Sequence, residues 1–272
     1  MSFRYAMCNE LFEGWTLERV CTFLAQVGYE AVELAPYTLC MRVTDVTAAE
    51  RTRIARTIRD AGLACAGLHW LLARTEGLQL NDPDPDVRAA TERYLIALVD
   101  FCADVGGKAL VFGSPQQRSL RPGWTRDEAW RSSVEILRRV GARAEQRGVV
   151  FCIEPLAARE TDFVNTVDEA VALVRAVAHP GLQTMADMKA MTADGRPLPE
   201  QIRLAAPHIR HVHANDPNLL GPGMGDLDIR PVLATLHEVG YAGYISVEAF
   251  AAPDGPEDLA RQSLANLKRA AD

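Results

Sequence analysis

The sequence predicts a single (β/α)₈ barrel, a TIM barrel, formed by residues 1–272. Three observations predict it. Short apolar, β-branched runs alternate with longer segments of helical period, as βα units around a parallel sheet do. Eight such units fit in the chain, with no long polar linker, low-complexity tract or shift of composition between them. The first run is followed by CNELFEGW, which lacks the GxGxxG that an open dinucleotide-binding sheet would place there.

In order, the strand candidates are FRYAMC (3–8), AVELA (31–35), ACAGLH (64–69), ALVFGS (109–114), VVFCIE (149–154), LQTMAD (182–187), IRHVHA (209–214) and YISVEA (244–249). Thr47 with Glu50, Thr125 with Glu128 and Thr166 with Glu169 fit capping boxes, in which a hydroxyl and a carboxylate satisfy the open amides of a helix start. Gly28, Gly62, Gly106, Gly148 and Gly240 each follow a helical stretch and precede a strand, where the chain must take positive φ. Leu17, Val20, Cys21, Leu24 and Val27 form one apolar stripe, and Leu95, Leu98, Val99 and Cys102 another; both are expected to pack on the barrel.

The composition narrows the function. A net charge of -7 argues against nucleic-acid binding, which depends on concentrated basic surface, and favours small-molecule chemistry. The six cysteines are scattered, form no CxxC pair and mostly sit in apolar runs, as reduced thiols of a cytoplasmic protein do. No apolar run approaches the roughly 20 residues that span a bilayer, and MSFRYAMCNELFEGW does not read as a secretory leader.

In a TIM barrel the chemistry lies at the carboxyl ends of the strands. Four consecutive candidates deliver Glu154, Asp187, His213 and Glu248 to that face. Any one alone is more often structural, but four together, two of them carboxylates after strongly apolar runs, require a buried partner, and a metal ion provides it. The mixed oxygen and nitrogen set suits Mn²⁺, Mg²⁺, Co²⁺ or Zn²⁺, with no thiolate to force zinc. His211 precedes His213 by two residues and shares its side of the strand, in a deeper layer. His69 ends the third run, where it either meets substrate from the opposite wall or is a core histidine with one satisfied nitrogen, and Glu33 is expected to hydrogen-bond a substrate hydroxyl or another strand-end residue. Trp15, Trp70 and Trp124 follow the first, third and fourth runs, where aromatic faces can pack on a sugar ring or in the protein. The glycines of 221–225 are read as a tight turn rather than a phosphate cradle.

The segments IEP around Glu154, ETDFVNT (160–166), HVHANDPN (211–218), GPGMGDLDI (221–229) and GYAGYISVEAF (240–250), with Asp187, resemble the sugar phosphate isomerase/epimerase superfamily, the xylose isomerase-like barrels. The similarity covers nearly the whole chain and is strongest from 149 to 250. In members similar to ketose 3-epimerases, a Glu, an Asp, a His and a second Glu hold one divalent metal. Glu154, Asp187, His213 and Glu248 match them in order, spaced 33, 26 and 35 residues apart. The resemblance implies Mn²⁺ as first choice, Glu154 and Glu248 as acid and base, and isomerisation or epimerisation of a small sugar by removing a proton next to a carbonyl, through an enediolate held at the metal.

Two positions depart from that pattern. Ala190 stands where many ketose epimerases carry a His, and Lys189 beside it reads as a solvated lysine. Asp216, Pro217, Asn218 and Leu219 occupy the stretch where those epimerases carry an Arg; Arg118, in GSPQQR, is the cation expected to reach substrate instead. The same four ligands also suit a lyase of the inosose dehydratase kind. An apurinic endonuclease is disfavoured, because it needs more ligands and a basic groove, and a non-catalytic sugar-binding barrel because all four ligands are present. A homo-oligomer is expected by analogy with such barrels alone.

Overall fold

A computed structural model describes residues 3–272. The strands are β1 (Arg4–Cys8), β2 (Ala31–Leu34), β3 (Ala64–Leu68), β4 (Ala109–Phe112), β5 (Val150–Ile153), β6 (Leu182–Asp187), β7 (Ile209–Ala214) and β8 (Tyr244–Val247). They pair in sequence order, all parallel, and β8 closes on β1. The chain is an eight-stranded (β/α)₈ barrel, as predicted. Around it run α1 (Leu17–Val27), α2 (Ala48–Asp60), α3 (Pro85–Asp104), α4 (Arg126–Gln146), α5 (Val167–Val177), the short α6 (Met188–Thr192), α7 (Leu198–Ala205), α8 (Arg230–Glu238) and α9 (Pro256–Ala271).

The sequence signals act as expected at most helix ends. Thr47 and Thr125 close full capping boxes with Glu50 and Glu128. Thr166 accepts from the Glu169 amide, but the Glu169 carboxylate turns to the Asn165 amide (2.7 Å) and Arg126 (2.8 Å), so the third box stays half closed. All five predicted stop glycines have positive φ. Val20, Cys21 and Leu24 of α1 are buried while Leu17 and Val27 pack at the edge, and the α3 stripe is buried throughout.

β2, β3, β4, β5 and β8 stop one or two residues short of the ends the sequence suggested. Glu154 and Glu248 still anchor their amides to the neighbouring strands, at Phe112 O (3.3 Å) and Ala214 O (3.2 Å). The six cysteines form no disulfide; five are buried and Cys40 is half-buried. Among the described residues, no helix is long and apolar enough to cross a membrane.

Candidate active site

The barrel brings Glu154, Asp187, His213 and Glu248 together at its carboxyl end, with one ligand-type atom of each within 4.8 Å of the others and all four buried. Each is placed by its strand and one local device. Glu154 needs the missing side chain of Gly113, since a methyl carbon there would collide with its carboxylate. Asp187 accepts from the Ala190 amide (2.6 Å) on one oxygen and from Asn215 Nδ2 (2.7 Å) on the other. His213 Nε2 donates to Glu33 Oε1 (3.2 Å).

Three carboxylates this close in a dry site repel one another. Burial, then Asp187 and Glu248, push Glu154 up to about 8. Burial and Glu248 push Asp187 up to about 6. Burial also works to raise Glu248, but His213 beside it prevails and holds it below the ordinary carboxylate value.

The residues fit a cation. With Nε2–H given to Glu33, His213 Nδ1 faces Glu248 Oε2 (3.3 Å) and Asp187 Oδ2 (3.8 Å) without a well-formed hydrogen bond; in the metal-free protein a proton on the ring is what keeps Glu248 ionised, and a metal ion would take the place of that proton at Nδ1. A ring nitrogen turned towards three carboxylates is satisfied only by a proton or a metal, and a carboxylate behind the far nitrogen is the usual support of a metal-binding imidazole. Replacing Gly113 with Ala is therefore expected to leave the fold intact, displace the Glu154 carboxylate and weaken divalent-ion binding by at least about tenfold. Calorimetric titration with Mn²⁺ checks this, with circular dichroism as the control for folding.

The other sequence candidates divide. His69 lines a cavity of about 220 Å³ in front of the cluster, with Trp70, Glu160, Lys189, Leu219 and Phe250. Its Nε2 donates to Glu10 Oε2 (2.7 Å), and although burial works to lower it, Glu10 holds the imidazole up at about 9. Glu33 is fully buried behind His213, where it also accepts from His211 Nε2 (2.7 Å). Burial would raise its carboxyl, but the two imidazoles keep it well below the usual range. Neither Glu33 nor His211 lines the cavity: together they form the floor that orients His213. Arg118 is likewise turned into the protein. Fully buried, it donates to the carbonyls of Phe112 (3.2 Å), Glu154 (2.5 Å) and Val164 (3.3 Å), tying the ends of β4 and β5 to the loop before α5.

Lys189 reverses the expectation of a solvated lysine. It is 5% exposed, pairs with Glu160 Oε1 (3.1 Å) and sits 4.5 Å from the Phe250 ring centroid, so the cavity owns a cation where the departures from the epimerase pattern had removed two. The 221–225 loop packs on α9, with Asn266 Nδ2 donating to Pro222 O (3.0 Å), as a turn would. Trp15 packs with Phe12 and Phe23, and Trp124 lies against Arg88; only Trp70 of the three lines this cavity. Glu10, Asn215, Gly113 and Phe250 carried no sequence signal of their own, although Asn215 and Phe250 lie inside the motifs quoted for the resemblance.

Comparison with known proteins agrees with this geometry. Residues 21–270 match the family described as xylose isomerase-like TIM barrel. D-psicose 3-epimerase of Ruminiclostridium cellulolyticum is 31% identical over 175 residues, covering 63% of this chain and 59% of that relative. 3-Dehydro-D-guloside 4-epimerase of Escherichia coli is 26% identical and matches 96% of this chain and 97% of its own. The solved structure of D-psicose 3-epimerase with D-tagatose from Clostridium cellulolyticum superposes with a TM-score of 0.85 at 20% identity, over 98% of each chain, and so shares the fold. The chain belongs to the xylose isomerase-like TIM barrel family.

Proposed function

We propose that the protein is a divalent-metal-dependent epimerase or isomerase of a small sugar, acting by removal of a proton next to a carbonyl. The observation that carries this reading is the buried Glu154, Asp187, His213 and Glu248 cluster, with His213 Nδ1 aimed into it beside a sugar-sized cavity. The curated relatives, which are named as epimerases of a ketose and of a dehydrogenated guloside, support it.

Glu154, Asp187, His213 and Glu248 would hold the ion, Mn²⁺ first, with Mg²⁺, Co²⁺ or Zn²⁺ as alternatives. Bound there, it supplies positive charge beside the substrate's carbonyl and neighbouring hydroxyl oxygens and lowers the cost of the negative charge that proton removal creates. The chain's own groups do the rest. Glu154 and Glu248 both line the cavity, from the ends of β5 and β8, so one carboxylate is suited to take a proton and the other to return one from the opposite side. Lys189 and Glu160 offer a donor and an acceptor to substrate hydroxyls, while Trp70 and Phe250 exclude water at the mouth. The buried Lys189 also favours a second reading, dehydration, since an ammonium in the cavity can protonate a departing β-hydroxyl; product analysis separates the two.

The test combines elemental analysis with incubation of the Mn²⁺-loaded protein with ketoses and inososes in deuterated water. Bound metal and deuterium at the carbon next to the carbonyl are the expected results; no retained metal in the wild type sinks the reading. The pH dependence offers a second check. Folding raises Glu154 from 4.5 to about 8 and Asp187 from 3.8 to about 6, so between those values the folded metal-free protein holds more protons than the unfolded chain. Their contribution to metal-free stability therefore falls as pH rises from about 4 to 8. Metal binding must release those protons, so the gain in melting temperature on adding Mn²⁺ is expected to grow across the same window. A gain that is flat or shrinks from pH 5 to 8 would count against these carboxylates as ligands.

A further inference from the structure

The 220 Å³ cavity does not end at Trp70. Trp70 and Pro115 are also walls of a second, outer cavity of about 370 Å³, completed by Tyr37, Ala73, Arg74, Gln116 and Gln117. Three loops build it, those that follow β2, β3 and β4. Tyr37, Trp70 and Pro115 give it flat apolar walls, and Arg74 with the two glutamines gives it polar ones. The Arg74 guanidinium lies 4.4 Å from the Tyr37 ring centroid and, among the described residues, has no hydrogen bond or ion pair of its own. The segment between the two cavities is held rather than loose. Trp70 and Arg74 take φ of 51° and 59°, conformations that side-chain-bearing residues rarely adopt, and Ser114 Oγ pins the Leu72 amide between them (2.9 Å). Backbone held off its ordinary minima beside a cavity is characteristic of ligand clamps. Two of the large exposed apolar side chains, Leu219 and Phe250, rim the same mouth, so the path out of the inner cavity is apolar on that side as well.

We infer that the outer cavity is an aglycone subsite, and that the substrate is a glycoside carrying a planar, apolar second group rather than a free monosaccharide. This rests on the proton-transfer reading of the inner cavity. A free ketose would fill the inner cavity and leave Tyr37, Arg74 and Gln117 without contact, whereas a flat aglycone stacks on Trp70 and Tyr37 and meets the open face of Arg74. The chemistry adds a constraint. A glycoside has its anomeric carbon blocked and cannot open to a free carbonyl, so the ketone that acidifies the transferred proton must be in the ring. The substrate must then arrive from a dehydrogenation of a ring hydroxyl, in which a nicotinamide or flavin accepts the hydride; the step catalysed here is a redox-neutral proton transfer.

The test measures binding of methyl and p-nitrophenyl glucosides, and of their 3-keto forms, to the Mn²⁺-loaded and metal-free protein by calorimetry, alongside deuterium exchange on the keto forms. The aryl compounds are expected to bind about tenfold more tightly than the methyl ones. Tyr37→Ala and the surface change Arg74→Ala should each shrink that ratio to about twofold or less, with Mn²⁺ binding unchanged. Equal affinity for aryl and methyl compounds in the wild type overturns the subsite, as does a ratio that both variants leave intact, or a concentration-dependent dimer that Tyr37→Ala dissolves, which would make a second copy the occupant. If the aryl preference holds but no sugar exchanges deuterium, the subsite stands and the proton-transfer reading fails.

Discussion

Glu154→Gln is expected to reduce deuterium exchange on the substrate by between about 10² and 10⁴, the span that a positioned proton-transfer group contributes, while leaving the metal-free protein at least as thermostable as the wild type. The two halves have one cause. Glu154 is forced into contact with Asp187 and Glu248 away from water, and its carboxyl is pushed up to about 8, so near neutral pH the metal-free fold favours the uncharged form that glutamine imitates. The amide fills the same space beside Gly113 and leaves the Arg118 bond to the Glu154 carbonyl untouched. What it loses is the charge that would draw a cation and the proton that the proposed catalysis would move. Unchanged exchange in a variant that still binds Mn²⁺ would remove Glu154 from the chemistry, and a drop of several degrees in melting temperature without metal would show that the crowding had been relieved some other way.

The second large effect is expected at a residue that never meets substrate. Glu33→Gln should weaken Mn²⁺ binding by about 10- to 100-fold, the usual loss when the support of a metal ligand is removed. It should also cost about 3–5 kcal/mol of stability, as when one partner of a buried charged set is taken away. Glu33 is fully buried and accepts from both His211 and His213; it keeps Nε2 of His213 a donor and Nδ1 turned to the cluster. A glutamine can accept on its oxygen but presents an N–H₂ to the other imidazole, so one ring must flip or lose its bond. Metal titration and urea unfolding read the two effects separately. If metal affinity survives while stability falls, Glu33 is a packing residue and not the element that orients the imidazole.

Much of this site could be read along the chain because it follows a rule of position. A residue that ends an apolar run in a TIM barrel points at the catalytic face, and Glu154, Asp187, His213 and Glu248 obey it. The residues that were misplaced follow no such rule. Arg118 lies in the loop after β4 in a polar stretch that looks accessible, yet three carbonyls from the ends of neighbouring elements draw its guanidinium inward. Lys189 sits beside a helix start in a segment that reads as surface, but Glu160 from one loop and Phe250 from another enclose it. Glu10 carries no pattern of its own, and only the side-by-side pairing of β1, β2 and β3 brings the loop that holds it against His69.

The sequence by itself determined the number and order of the strands, the helix starts and stops, and the set of side chains delivered to one end of the barrel. Those follow from local periodicity and capping, which act over a few residues. Tertiary structure alone decided which candidates face the cavity and which lie behind it. Glu33 and His211 are 178 residues apart and meet across the barrel interior; that contact depends on strand tilt and on closure of β8 against β1, which no local pattern encodes.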